Sequence, residues 1–175
     1  MVAGKTFRAL SRSSAHRQAL LRNLVTELIK NETVSTTYAK AKEVQPIADQ
    51  VITLGKRETN AARRRLEQIL YVPEVSIPRV MNVLVPRYKL REGGYTRLQR
   101  IEPLQTDQAE SAILEFVDGP RDMRFALTAK AIAHSKKEGR GLADITLLNI
   151  KKVTRFRPNG EKELEAEVRK FEERM

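Results

Sequence analysis

Cysteine is absent from this sequence of 175 residues, and so is tryptophan. Without cysteine there is no disulfide framework, thiolate-bound zinc, iron–sulfur cluster or thiol nucleophile. Histidine is scarce: His16 and His134 stand far apart and lack metal-ligand spacing. Neither a metal nor a cofactor is therefore expected. No apolar run approaches the roughly 20 residues of a membrane span, and no continuous apolar segment marks a secretory signal, so no membrane anchor is expected. Internal repeats and low-complexity tracts are missing as well.

Acidic residues are short in one region only. The first hundred positions hold 19 cationic and 8 anionic side chains, and the remaining 75 hold as many of one as of the other. The net charge of +11 thus belongs entirely to the amino-terminal part. Such self-repulsion points to a polyanionic partner, nucleic acid before an anionic membrane. Within the first 26 residues five cations, several serines and no acid also match the composition of a mitochondrial import segment or of a basic RNA-touching arm. Length and a 41% hydrophobic content suit one domain with an appendage.

Residues 1–13 read as an extended basic arm. Ser13 or Ser14 can cap a helix whose Leu20, Leu21, Leu24, Val25, Leu28 and Ile29 recur at helical period, ending near Asn31. Thr33–Thr37 is β-branched and reads as a strand. Val44, Ile47, Ala48, Val51 and Leu54 return to helical spacing. Pro46 predicts a kink there or a start displaced to about Gln45, and Gly55 with Lys56-Arg57 marks the end. A third helix opens at Asn60 and carries Arg63-Arg64-Arg65. One of these three arginines is expected to thread its stem along the core edge. Ser76 is read as the cap of a fourth helix, with Pro78 in its first turn and Pro86 as its stop.

The loop that follows gathers Arg87, Tyr88, Lys89 and Arg91 around Gly93-Gly94, with Tyr95 and Arg97 beyond. The glycines lack the Gly-Lys-Ser/Thr ending of a nucleotide loop. They instead let backbone approach backbone, while guanidinium groups fork onto phosphate and tyrosine stacks on an unpaired base. Tyr95–Ile101 and Ala112–Val117 read as strands of a hairpin, forming a three-stranded sheet with Thr33–Thr37. Asp118-Gly119-Pro120 breaks the chain, and a domain boundary is placed there. Beyond it, Phe125, Ala129, Ile132 and Ala133 predict a helix ending at Gly139. Residues 145–156 read as strand or loop. Glu161–Met175 reads as a last helix, its acids early and its cations late, as the helix dipole favours. Lys40 and Lys42 straddle the start of the second helix, where that dipole repels cations and a phosphate would offset the cost. His16 has no companion of the Ser/His/Asp or Cys/His type, so no catalysis is expected.

The run from Leu10 to Lys56 resembles the bacterial-type large-subunit ribosomal protein of family seventeen. The shared residues are Ser14, His16-Arg17, Arg22-Asn23-Leu24, Leu28, Glu32, Thr36-Thr37, Lys40-Ala41-Lys42-Glu43 and Ile52-Thr53-Leu54. Pro86-Arg87-Tyr88, Arg91 and Gly93-Gly94-Tyr95-Thr96-Arg97 look like its second signature. Asp107, Ala109, Ala112 and Glu115–Asp118 look like its closing hairpin. The resemblance covers about residues 5–118. It implies an α+β domain of order α-β-α-α-α-β-β, bound to large-subunit ribosomal RNA near the peptide exit tunnel. Glu102–Asp107 departs from the family pattern in lacking an Arg and a Gly, so its tip is not expected to touch RNA.

The expectation is therefore a basic arm (1–13), a globular rRNA-binding domain (14–118) and a mostly helical extension (119–175) that meets neighbouring ribosomal proteins. RNA contact is expected from Lys5, Arg8, Arg12, Ser14, His16, Arg17, Arg22, Asn23, Lys40, Lys42, Arg63, Arg64, Arg87, Tyr88, Arg91, Gly93, Gly94, Tyr95 and Arg97. A structural, non-enzymatic part of a mitochondrial, fungal-type large subunit follows, not a homo-oligomer, with a bacterial setting as the alternative. A free regulator reading nucleic acid with the 60–70 helix is the rival function.

Overall fold

A computed structural model describes residues 7–103 and 105–174; Lys5 lies outside them. The order is α1 (Ser14–Asn31), β1 (Thr33–Thr37), α2 (Tyr38–Arg57), α3 (Asn60–Ile69), α4 (Pro73–Arg79), a π-turn (Val80–Leu84), α5 (Val85–Arg87), β2 (Thr96–Ile101), β3 (Ser111–Phe116), α6 (Met123–Lys137), α7 (Asp144–Thr154) and α8 (Gly160–Glu173). The α+β class and the small sheet agree with the expectation. By its contacts the chain divides into two compact units between Val117 and Asp118.

In the first unit, Ser13 caps α1, its hydroxyl accepting the His16 amide at 3.5 Å. Leu21, Val25, Leu28 and Ile29 are the buried stripe that periodicity predicts. The helix stops because Glu32 turns left-handed (φ +63°) and its amide donates to the Leu28 carbonyl at 2.8 Å. One residue thus separates α1 from β1. A non-glycine residue in that region costs about 1–2 kcal/mol. Here it is held from both sides, its carbonyl accepting the Phe116 amide at 2.9 Å and its carboxylate gripped by arginine.

β3 is the central strand, antiparallel to β1 (Thr33 opposite Glu115) and to β2 (Thr96 opposite Phe116). Ala112, Leu114 and Phe116 alternate onto the core face, as a period of two requires. They join Val44, Val51, Ile52, Leu84 and Tyr88 in one cluster.

Two helix starts are corrected. α2 starts at Tyr38, not near Gln45, and runs through Pro46. That ring is exposed, and the Lys42 carbonyl it leaves without a donor belongs to an exposed residue. α2 ends at Arg57, where the Gly55-Lys56-Arg57 signal puts it, and Gly55 itself is buried within the helix. A β-carbon there would lie 2.7 Å from Val85 Cγ2, so glycine sets the close approach of α2 to the 80–85 segment. The fourth helix begins at Pro73, with Val72 at φ +50°. Ser76 caps nothing; its buried hydroxyl donates to the Tyr71 and Val72 carbonyls at 3.1 and 2.9 Å. The π-turn contains Asn82, the carbonyl that Pro86 deprives of its α-helical donor.

In the second unit Asp122 caps α6 by accepting the Phe125 amide at 3.1 Å. Ala129, Ile132 and Ala133 pack with Leu164 and Val168 of α8. Residues 144–154 are helical, against the strand or loop reading. Gly160 starts α8 where a β-carbon would meet the Thr154 backbone at 2.8 Å.

Candidate nucleic-acid interface

The expected RNA-contacting residues separate into three groups once their partners are known. The first group is tied down by partners within the protein. Arg87 forks onto Glu32, its Nη1 and Nη2 donating to the two carboxylate oxygens at 2.7 and 2.9 Å. Arg79 adds a contact to Glu32 at 3.5 Å, and the Glu32 side chain is only 4% exposed. Burial pulls the Arg87 pKa down, but the hydrogen bonds and charge of Glu32 outweigh it and leave the group raised. Arg97 meets the fully buried Glu115 at 2.8 Å, directly across the β2–β3 ladder. Arg17 bonds Glu43 at 2.7 Å and donates through Nε to the Arg8 carbonyl at 2.7 Å. Arg22 donates to the Ile69 carbonyl at 3.1 Å and lies over the Tyr71 ring, 4.1 Å from its centre. Moving Arg87 or Arg97 to a phosphate would strand a buried carboxylate, at a cost of several kcal/mol.

Both tyrosines correct the expectation. Tyr88 is fully buried and donates its hydroxyl to the Val117 carbonyl at 2.5 Å. Tyr95 is 3% exposed and packs 5.2 Å from the Tyr88 ring. Neither ring is accessible for stacking on a base. Tyr88 also lies 6.3 Å from the Phe116 ring, so the two tyrosines close the core beside the end of β3.

The second group is the glycine loop. Gly93 and Gly94 are exposed with open space around them, and Gly94 has φ +63°, which a side chain would strain. Arg91 reaches the Gly94 carbonyl at 3.3 Å, and Lys56 donates to the Arg91 carbonyl at 2.6 Å. These contacts shape the loop and leave its backbone accessible.

The third group faces solvent: Arg12, Ser14, His16, Asn23, Lys42, Arg63 and Arg64, with Lys40 half-buried. All three arginines of α3 are exposed, contrary to the expectation that one threads the core, because Ala62 and Leu66 alone supply its buried face. Arg8 is 53% exposed and touches Glu43 at 3.4 Å. Residues 10–12 form a turn, and Arg12 donates to the Leu10 carbonyl at 2.9 Å, so this part of the arm is folded, not extended.

Sequence reasoning missed Arg100 and Tyr38. Residues 96, 98 and 100 share one strand face that tracks α2 backwards: the Thr96 hydroxyl donates to Asp49 at 3.0 Å, and Arg100 lies over Tyr38, 4.2 Å from its ring centre. A hydrogen bond from Arg100, then the charges of Lys42 and Arg8, lower the Tyr38 pKa despite opposing burial. The period-two pattern of β2 and a helix start at Tyr38 are the signals that could have found them.

The model of the family described as Ribosomal protein L17 matches residues 20–117. The chain belongs to that family. L17 proteins are structural and non-enzymatic. Among its relatives, the large ribosomal subunit protein bL17m of Neurospora crassa is 57% identical over 88% of this chain and 80% of its own length. That of Schizosaccharomyces pombe is 47% identical over 95% and 82%. The large ribosomal subunit protein bL17 of Caldanaerobacter subterraneus is 44% identical over 64% of this chain but 99% of its own. The bacterial L17 therefore has no room for a second unit, while both fungal matches must run well into it. The chain is of the mitochondrial L17 kind.

Proposed function

We propose that this chain binds and braces folded ribosomal RNA of the mitochondrial large subunit, near the peptide exit tunnel. One observation carries the reading: the first unit, Met1–Val117, holds 19 cations against 12 acids, and the fold keeps Arg12, Lys42, Arg63 and Arg64 at its surface. Family membership supports the ribosomal setting, and the tunnel location follows from the family resemblance.

In mechanism, Arg8, Arg12, Lys40, Lys42, Arg63 and Arg64 neutralise phosphates, with Ser14, His16 and Asn23 hydrogen-bonding along the exposed side of α1. The Gly93-Gly94 loop admits a sugar–phosphate backbone at close range, with Arg91 beside it. Contacts of this kind read backbone and shape, as suits structured RNA. The arm (1–13) and domain (14–118) hold RNA, while residues 119–175 meet neighbouring proteins. The exposed Ile145, Leu147 and Leu148 support that role for the extension. The protein acts as a single copy.

Sucrose-gradient fractionation of mitochondria tests the proposal. Stoichiometric co-sedimentation with the large subunit, persisting at moderately high salt, is expected. A free pool at the top of the gradient would overturn it.

A further inference from the structure

Between α1, α2 and α3 lies an open groove of about 390 Å3, within the roughly 300–1,000 Å3 of small-ligand sites. Its composition differs from the rest of the basic surface. Each helix contributes one glutamine, Gln18, Gln50 and Gln68, and all three are exposed. Arg17, Arg22 and Arg65 stand with them, and the half-buried Ile47 and Ile69 supply apolar surface. Among the described residues, no carboxylate lines the groove.

All three arginines are already oriented, and Arg17 is engaged by Glu43 and the Arg8 carbonyl. Arg22 is fixed through Nε by the Ile69 carbonyl and by the Tyr71 ring, which leaves its terminal nitrogens as donors. Arg65 donates to the Gln68 side-chain oxygen at 2.8 Å, so the Gln68 amide nitrogen is left to donate outward. Phosphate recognition alone calls only for donors, which the arginines provide. Three amides add acceptors as well, and a mixed donor–acceptor edge is the chemistry of a nucleobase. Apolar side chains beside them offer a surface for a base face. The volume suits one nucleotide and not a paired strand.

We infer that this groove receives a single unpaired nucleotide of the bound RNA: base against Ile47 and Ile69, base edge on Gln18, Gln50 and Gln68, phosphate on Arg22 and Arg65. The inference rests on the RNA-binding reading above and deepens it.

Its test uses the full chain and two RNA hairpins that differ only by one bulged nucleotide, tried with each of the four bases. The wild type is expected to bind at least one bulged hairpin about tenfold more tightly than the paired one, the order expected of one or two base-edge hydrogen bonds. Gln50→Ala with Gln68→Ala removes that preference and leaves affinity for the paired hairpin unchanged. Thermal melts verify that both proteins are folded, as expected for two exposed positions. Equal affinity of the wild type for bulged and paired hairpins overturns the groove assignment but not RNA binding. So does a preference that survives the double substitution. Failure to bind either RNA overturns both.

Discussion

Up to Val117 the chain closes one continuous core, from Leu21 on α1 to Phe116 on β3, and buries Glu32 and Glu115 within it. From Asp118 onward a few small residues of α6 pack on Leu164 and Val168, and Leu127, Ile145, Leu147 and Leu148 stay in solvent. The family model matches the first unit, and the bacterial relative ends with it, whereas both fungal relatives extend further. The contrast shows two uses of the same residue types. The first unit uses buried carboxylates to tie down arginines that sequence alone assigns to RNA. The second carries 14 cations against 10 acids, sets Arg157 3.8 Å from the buried Asp122, and leaves Ile145, Leu147 and Leu148 of a single helix uncovered.

The strongest way to break that contrast is Glu32→Ala. It leaves Arg87 and Arg79 without their counter-charge and releases the left-handed turn, so a destabilisation of about 3–5 kcal/mol is expected. Urea unfolding measures it, and a change below about 1 kcal/mol would mean the pair is dispensable. Leu164→Ala should cost the second unit about 2–4 kcal/mol by cavity formation. Circular dichroism should then show reduced helix content, with RNA affinity retained. Tyr88→Phe removes the partner of a buried carbonyl and should cost about 1–2 kcal/mol. If it instead weakened RNA binding while stability held, the core assignment of that ring would be wrong.

The smallest effect concerns Asp49. Burial raises its pKa above the usual 3.8, with hydrogen bonds from Thr96 and the Tyr95 backbone opposing. A carboxyl raised on folding stabilises the native state fully below 3.8, and that contribution is lost as pH climbs through the elevated value. Asp49→Asn should therefore flatten the stability profile on the mildly acidic side and leave neutral-pH stability equal or slightly higher. A steep drop in stability at neutral pH would contradict this sign.

Local patterns made α1, β1, the β2–β3 hairpin and α6 legible, because period and caps are short-range properties. Pro46 and Pro78 misled: the cost of a proline inside a helix depends on which face it occupies and on packing elsewhere along the chain. Residues 145–156 read as strand or loop, yet residues 144–154 pack as a helix against α6 and α8. Site residues were harder to read, since an arginine bound for phosphate and one bound for a buried glutamate look alike. Glu32 and Arg87 are 55 positions apart, and Glu43 and Arg17 are 26 apart. Only the Arg97–Glu115 pair follows from hairpin register.

On the proposed function, the exposed cations of the first unit hold RNA, while Arg87 and Arg97, paired with buried carboxylates, hold the fold. The most direct measurement of that division is the salt dependence of RNA affinity, taken for the wild type and for a variant with Arg63, Arg64 and Arg65 changed to Gln. The wild-type logarithmic slope should be steep. The variant's should be shallower by about 0.9 for each duplex phosphate left without its cation, with unfolding stability within about 0.5 kcal/mol of wild type. An identical slope in the two proteins, or a wild type indifferent to salt, would contradict it.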